Sequence, residues 1–204
     1  MEKIKITDLS FSYGYKKVIQ NLSLEISSEK PVLLLGESGI GKTTLMRLLL
    51  GFLKPDSGKI EGIDRNTRIA VMYQEDRLFP QLSVYKNLKL VKKDLSREQT
   101  TDILSELRLD KEILDKLPAE LSGGMRRRIA LIRALIFDAV LLLLDEPFQG
   151  LDTENRKYAL AAVKKYSEGR PMLVISHEPS DAEALGAKLF KFEEICRKGC
   201  EANE

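Results

Sequence analysis

Residues 36–43 read GESGIGKT: glycines at 36, 39 and 41, then a lysine and a hydroxyl residue. Glycines allow a tight turn whose backbone N–H groups point inward, and such a concavity takes phosphate oxygens. The spacing G-x-x-x-x-G-K-[ST], between an apolar strand and a helix, is that of a phosphate-binding P-loop. PVLLL precedes it here and an amphipathic run follows. Lys42 is expected along the β- and γ-phosphates of a nucleoside triphosphate, with the Thr43 hydroxyl on Mg²⁺. Gly36, Glu37, Ser38, Gly39, Ile40, Gly41, Lys42, Thr43 and Thr44 form the expected nucleotide-binding loop.

Such a site needs a second metal ligand, and VLLLLDEP (140–147) offers one at the end of a buried strand. Asp145 is expected to hold Mg²⁺ through water. Glu146, one residue on, is expected on the opposite side of the strand, as a general base for an attacking water. His177 is the only histidine and follows the strand PMLVIS. It therefore falls at the carboxyl edge of the sheet, where open α/β folds bind ligands, and is expected to donate to the γ-phosphate.

A second anion site is signalled by LSGGMRRRIALIRAL (121–135). Two glycines open a helical pattern there, and free N–H groups at a helix start attract anions. Ser122 suits the N-cap position. Arg126, Arg127 and Arg128 fill the first turn, where the helix dipole disfavours cations. They are expected on a solvated or carboxylate-paired face rather than on phosphate.

These groups need elements to position them. Strand-like runs occur at 4–13, 22–26, 31–36, 58–62, 68–73, 140–145, 171–176 and 188–192. The first ones alternate, as half-buried antiparallel strands do; PVLLL and VLLLL are continuous, as parallel strands covered on both faces are. Leu45, Leu48, Leu49 and Phe52 make one helical stripe, and Met125, Ile129, Ile132 and Ile136 another. Ser96 with Gln99, and Ser180 with Glu183, are expected to form capping boxes. The expected fold is α/β: a P-loop core with a mostly parallel sheet, an N-terminal antiparallel β subdomain and an inserted helical subdomain. Residues 1–74 and 139–204 would form the core and 75–138 the insertion.

The chain has 204 residues, 43% hydrophobic and 31% charged, with 33 Lys plus Arg against 31 Asp plus Glu. A net charge of +2 gives no general affinity for polyanions, so nucleic acid is not an expected partner. The longest apolar run, AVLLLL, is too short to span a bilayer, and the start MEKIKITDLS lacks a leader core. A cytosolic protein is expected, with any membrane link made through a partner. Cys196 and Cys200 are expected to be reduced thiols.

Taken together, the motifs resemble those of the ATP-binding cassette ATPases, the nucleotide-binding subunits of ABC transporters, over nearly the whole chain. GESGIGKTT resembles Walker A, VLLLLDE Walker B, and LSGGM the signature motif Leu121–Ser122–Gly123–Gly124–Met125. Gln74 falls at the Q-loop, Asp152 in the D-loop and His177 at the switch position. Tyr13 matches the aromatic that stacks on adenine. The resemblance implies ATP hydrolysis with Mg²⁺ held by Thr43, Gln74 and Asp145, and with Lys42, Gln74, Glu146 and His177 catalytic. It also implies a head-to-tail homodimer in which each signature motif grips ATP bound to the other copy. Integral membrane permease subunits follow as partners, with a solute-binding protein reached indirectly. Met125, where Gln is usual, and the run LFPQLSVYKNL resemble importer ATPases of the nitrate, sulfonate and taurine type. Gly150 stands where Ala is more usual, and no room for a C-terminal regulatory domain is expected. A non-transport relative acting on nucleic acid or the ribosome is the alternative; its long coiled-coil insertion or second cassette has no counterpart here.

Overall fold

A computed structural model describes residues 3–196. The elements run β1 (Lys3–Tyr13), β2 (Lys16–Ser27), β3 (Val32–Leu35), α1 (Lys42–Leu49), β4 (Ser57–Glu61), β5 (Ile69–Met72), α2 (Val84–Lys89) and α3 (Arg97–Glu106). After 3₁₀ turns at 111–113 and 118–120 come α4 (Gly123–Ile136), β6 (Leu141–Asp145), α5 (Thr153–Ser167), β7 (Met172–Ile175), α6 (Ser180–Leu185), β8 (Lys188–Lys191) and α7 (Phe192–Ile195). All eight expected strands form.

They sort into two sheets: antiparallel β2-β1-β4 and parallel β5-β6-β7-β3-β8. The continuous apolar strands lie inside the parallel sheet because both of its faces are covered. Leu141 to Leu144 are fully buried, and their alternation divides them between two cores. Leu141 and Leu143, with Leu173 and Ile175, pack toward α1 and the antiparallel sheet. Leu142 and Leu144, with Met172 and Val174, pack toward α4, α5 and the helices between β5 and β6. That stretch holds helices, 3₁₀ turns and loops and no strand among the described residues, and α4 shares its core with the sheet.

Local signals were realised unevenly. Ser96 and Gln99 make the expected capping box at α3. Ser180 does not cap: Pro179 is already helical, so α6 starts with Ser180 inside it and no side-chain cap. Phe52 leaves the expected stripe, because α1 stops at Leu49. Gly51 turns left-handed there (φ 71°), and the amides of Gly51 and Phe52 bond back to Leu48 and Arg47. Phe52 is consequently 69% exposed. Cys196 is a free thiol that accepts from the Gln20 amide at 3.1 Å, and Cys200 lies outside the described residues. No helix of the described residues is long and apolar enough to cross a membrane.

Because Leu143 sits fully buried between paired strands, Leu143→Ala is expected to cost about 2–5 kcal/mol in urea unfolding. A cost below about 1 kcal/mol would mean that this layer is not close-packed.

Candidate functional site

Four parallel strands deliver their next residues to one edge of the sheet. The glycine loop follows β3, Gln74 follows β5, Asp145 ends β6 with Glu146 next, and His177 follows β7. A cavity of about 130 Å³ at that edge is lined by Ser38, Gly39, Gly41, Lys42, Thr43, Thr44, Gln74, Asp145, Glu146 and His177. Residues far apart in sequence meet because strands β5, β6, β7 and β3 are neighbours in the sheet.

The loop is shaped by glycine where it has to be. Gly41 caps α1 at φ 123°, with no side chain bonded to the helix N-terminus, so its amides face the cavity uncapped. A Cβ at Gly41 would lie 2.9 Å from the Val18 side chain. The Lys42 ammonium donates to the carbonyls of Gly36 and of Glu37, the latter at 2.8 Å. Gly36 and Glu37 thus serve the loop through carbonyls rather than by lining the cavity, and Ile40 packs on the core beneath.

The electrostatics follow from burying a cation beside two carboxylates. Burial pushes the Lys42 pKa down, against Glu146, Asp145 and Glu193, which hold it up. Burial pushes Asp145 up, opposed by Lys42, Arg127, a hydrogen bond from Thr43 and His177. Glu146 is also pushed up, first by burial and then by Asp145, against His177, Lys42 and Arg127.

Asp145 and Glu146 were expected on opposite sides of the strand, and they are not. Strand β6 ends at Asp145, and Glu146 takes the left-handed conformation, φ 51°. Alternation stops there, so both carboxylates line the same cavity. That conformation costs a non-glycine residue about 1–2 kcal/mol. It is held by Glu146 N–H donating to the Ile175 carbonyl at 2.9 Å and by Gln149 N–H donating to the Glu146 carbonyl at 3.1 Å. Glu146 Oε1 lies 3.0 Å from His177 Nε2, but it is buried without an aligned hydrogen-bond donor. It is an acceptor held next to the glycine loop with capacity to spare.

Other expected residues lie apart from this cavity. Gly123 and Gly124 line a separate one of about 330 Å³ with Gln74, Glu75, Asp76, Arg127, Gln149 and Gly150. Ser122 caps α4 as expected, accepting from Met125 N–H at 3.3 Å, and is exposed together with Gly123. Leu121 is buried beneath them, and Met125 packs against the core from a half-buried position. Asp152 caps α5, accepting from the amides of Glu154 and Asn155. Tyr13 is 44% exposed, stands edge-on to Phe11 at 4.9 Å between centroids, and does not line the cavity of the glycine loop.

The expected solvated or carboxylate-paired face holds for the half-exposed Arg126, which lies 4.0 Å from Asp76, but the two arginines after it are not solvated. Arg127 and Arg128 are buried. Arg127 donates to backbone carbonyls on both sides of the site as well as to Asp76, and Arg128 to the Leu107, Arg108 and Gly124 carbonyls and Asn155. Helix α4 carries few other polar residues and is buried almost all round. That composition was the available signal, since arginines on such a helix have to be bonded inside. A second network escaped notice. Arg156 and Ser176 both donate to the buried Asp181, at 2.7 and 2.6 Å, and the Ser176 hydroxyl accepts from Glu178 N–H. The residues on either side of His177 are thereby pinned to α5 and α6.

A family profile described as "ABC transporter" matches residues 19–149. The ergothioneine transport ATP-binding protein EgtV of Helicobacter pylori (strain G27) is 30% identical, over 95% of this chain and 99% of its own length. The thiamine import ATP-binding protein ThiQ of Shigella flexneri serotype 5b is 34% identical, over 91% of this chain and 85% of its own. An aliphatic sulfonates import ATP-binding protein, SsuB 1 of Burkholderia lata, is 36% identical over 95% of this chain and 62% of its own. Among solved structures, a dimeric post-hydrolysis state of the cassette MJ0796 bound to ADP and Pi superposes with a TM-score of 0.77. It is 22% identical and covers 92% of this chain and 93% of that one, a likeness of fold.

Glu146 binds its proton more readily folded than unfolded, so its ionisation opposes folding, and stability falls as pH rises from the ordinary carboxyl range toward the raised value. Glu146→Gln is therefore expected to raise the thermal midpoint at neutral pH, with the gain shrinking as pH drops toward the ordinary carboxyl range. A midpoint that falls at pH 7 would show that burial does not govern this carboxylate.

Proposed function

Because this chain belongs to the ABC transporter family, we propose that it is the ATP-binding and hydrolysing subunit of an importer, working on the inner face of the membrane with separate permease subunits. The observation that carries the catalytic part is the single cavity joining the uncapped glycine loop, Lys42, Thr43, both carboxylates and His177. The relatives' names, two of them import proteins, support the transport part.

The residues act by position and charge. Amides of residues 39–43 and the Lys42 ammonium bind the β- and γ-phosphate oxygens. The donors Mg²⁺ favours, a hydroxyl, a carboxylate and an amide oxygen, stand together as Thr43, Asp145 and Gln74, and the hydrogen bond from Thr43 to Asp145 brings two of them into contact. Bound with ATP, the ion neutralises charge on the β- and γ-phosphates. Glu146 accepts a proton from water as the water oxygen attacks the γ-phosphorus and the bond to ADP breaks; burial raises its pKa above the ordinary carboxyl range, which strengthens it as a base. His177, half exposed beside Glu146, contacts the γ-phosphate. Tyr13 meets the adenine.

The signature residues stand outside that cavity, with Ser122 and Gly123 exposed. This supports a head-to-tail pair in which Ser122 and the Gly124 amide of one copy close on the ATP of the other. Gln74 lines both cavities and so stands between the phosphates and the helical stretch that would meet the permease. A solute-binding protein would act only through that permease.

Two measurements test this. Glu146→Gln is expected to lower turnover at least about 10²-fold while ATP binding persists; normal turnover would remove Glu146 as the base. Lys42→Ala and Ser122→Arg should each be inactive alone. Mixed one to one they should recover about a quarter of the wild-type rate, since half of random pairs are mixed and each keeps one whole pocket of two. Full activity in either variant alone, or none on mixing, would overturn the shared pocket.

A further inference from the structure

The parallel ladder between β5 and β6 ends at the pair Met72 and Leu144. Beyond it the two chains diverge, one toward Gln74 and the other toward Glu146. The carbonyls of Tyr73, Gln74, Asp145 and Glu146 all accept from one side chain. A single guanidinium takes over where the ladder stops. Arg127 Nη1 donates to the Tyr73 carbonyl at 3.1 Å and the Gln74 carbonyl at 2.7 Å. Its Nη2 donates to the Asp145 carbonyl at 3.0 Å and to the Glu146 carbonyl.

The placement is costly. Arg127 is only 5% exposed, and its Nε–H is buried without a partner. Its ion-pair partner among the described residues is Asp76, at 3.1 Å, which lies outside the phosphate cavity. Its other hydrogen bonds thus go to main-chain oxygens on both walls of the site, and its charge also acts on the nearby Asp145 and Glu146 carboxylates without bonding them. A planar fork suits this; a lysine ammonium has fewer donors and cannot bridge two strands in one plane.

We infer that Arg127 is a positioning residue that fixes the backbone carrying Gln74 to the backbone carrying Asp145 and Glu146, and ties both to the signature helix α4. The inference rests on the ATPase reading above. Arg127 lies one turn past Ser122–Gly124, so α4 cannot shift without pulling on the carbonyl of the strained Glu146. A displacement of about 1 Å at a reacting group can cost on the order of 10²-fold in rate.

The test compares Arg127→Met and Arg127→Lys with Arg133→Met in the intact protein, well below their melting points. Arg133 lies on the same helix and donates to the Asp76 and Arg77 carbonyls of the same loop, but it does not reach Asp145 or Glu146. Arg127→Met should lower kcat at least about tenfold with KM for ATP within about twofold of wild type. Arg127→Lys should also stay low, because charge alone does not restore the bridge, and it supplies the measurement if the methionine variant does not fold. Arg133→Met should keep kcat close to wild type. The inference is overturned if Arg127→Lys turns over like wild type, if the loss at Arg127 appears in KM alone, or if Arg133→Met loses as much. Absence of hydrolysis in the wild-type protein would instead count against the ATPase reading.

Discussion

The site depends on where the parallel strands end. Strand β6 pairs with β5 on one side and β7 on the other, and β7 pairs in turn with β3. All run in one direction, so the four loops that follow them leave from one edge. That alignment is maintained by leucines buried on both faces of the sheet. The burial that holds the sheet is therefore also what places a lysine from one loop beside carboxylates from another.

That convergence brings an electrostatic cost. Lys42, Asp145 and Glu146 are all nearly withdrawn from water, and each is pushed toward its neutral form by burial. The attraction of Lys42 for the two carboxylates offsets only part of it, and the carboxylates repel each other. The strain extends to the backbone, with Glu146 in a left-handed conformation and its Oε1 buried without an aligned donor. Unsatisfied groups in a folded protein concentrate where binding or chemistry can use them. The network behind the site is the opposite case: the carboxylate of Asp181 is bonded by both Arg156 and Ser176.

Much of this was legible from residues 36–43, 121–125 and 140–147, because their spacing is local and the chemistry of glycine, lysine and carboxylate at a strand end is restrictive. The strands were legible for a similar reason: apolar runs of that length have few other uses. Local rules failed where the next element intervened. Phe52 left the helical stripe because Gly51 ended α1 first, and Ser180 lost its cap to Pro179. The direction of Glu146 could not follow from strand alternation, since the strand stops one residue before it.

The sequence by itself determined the eight strands, the glycine loop, the acidic strand end and the capped glycine helix start, because each is written in consecutive residues. Only the tertiary structure decided what the arginines of α4 do. In the chain Arg127 is one of three adjacent cations, 53 and 54 residues from the Gln74 and Tyr73 carbonyls it bonds and 18 and 19 from those of Asp145 and Glu146. A guanidinium finds such partners only when packing removes it from water and leaves carbonyls as the remaining acceptors, and that condition exists nowhere in the linear sequence.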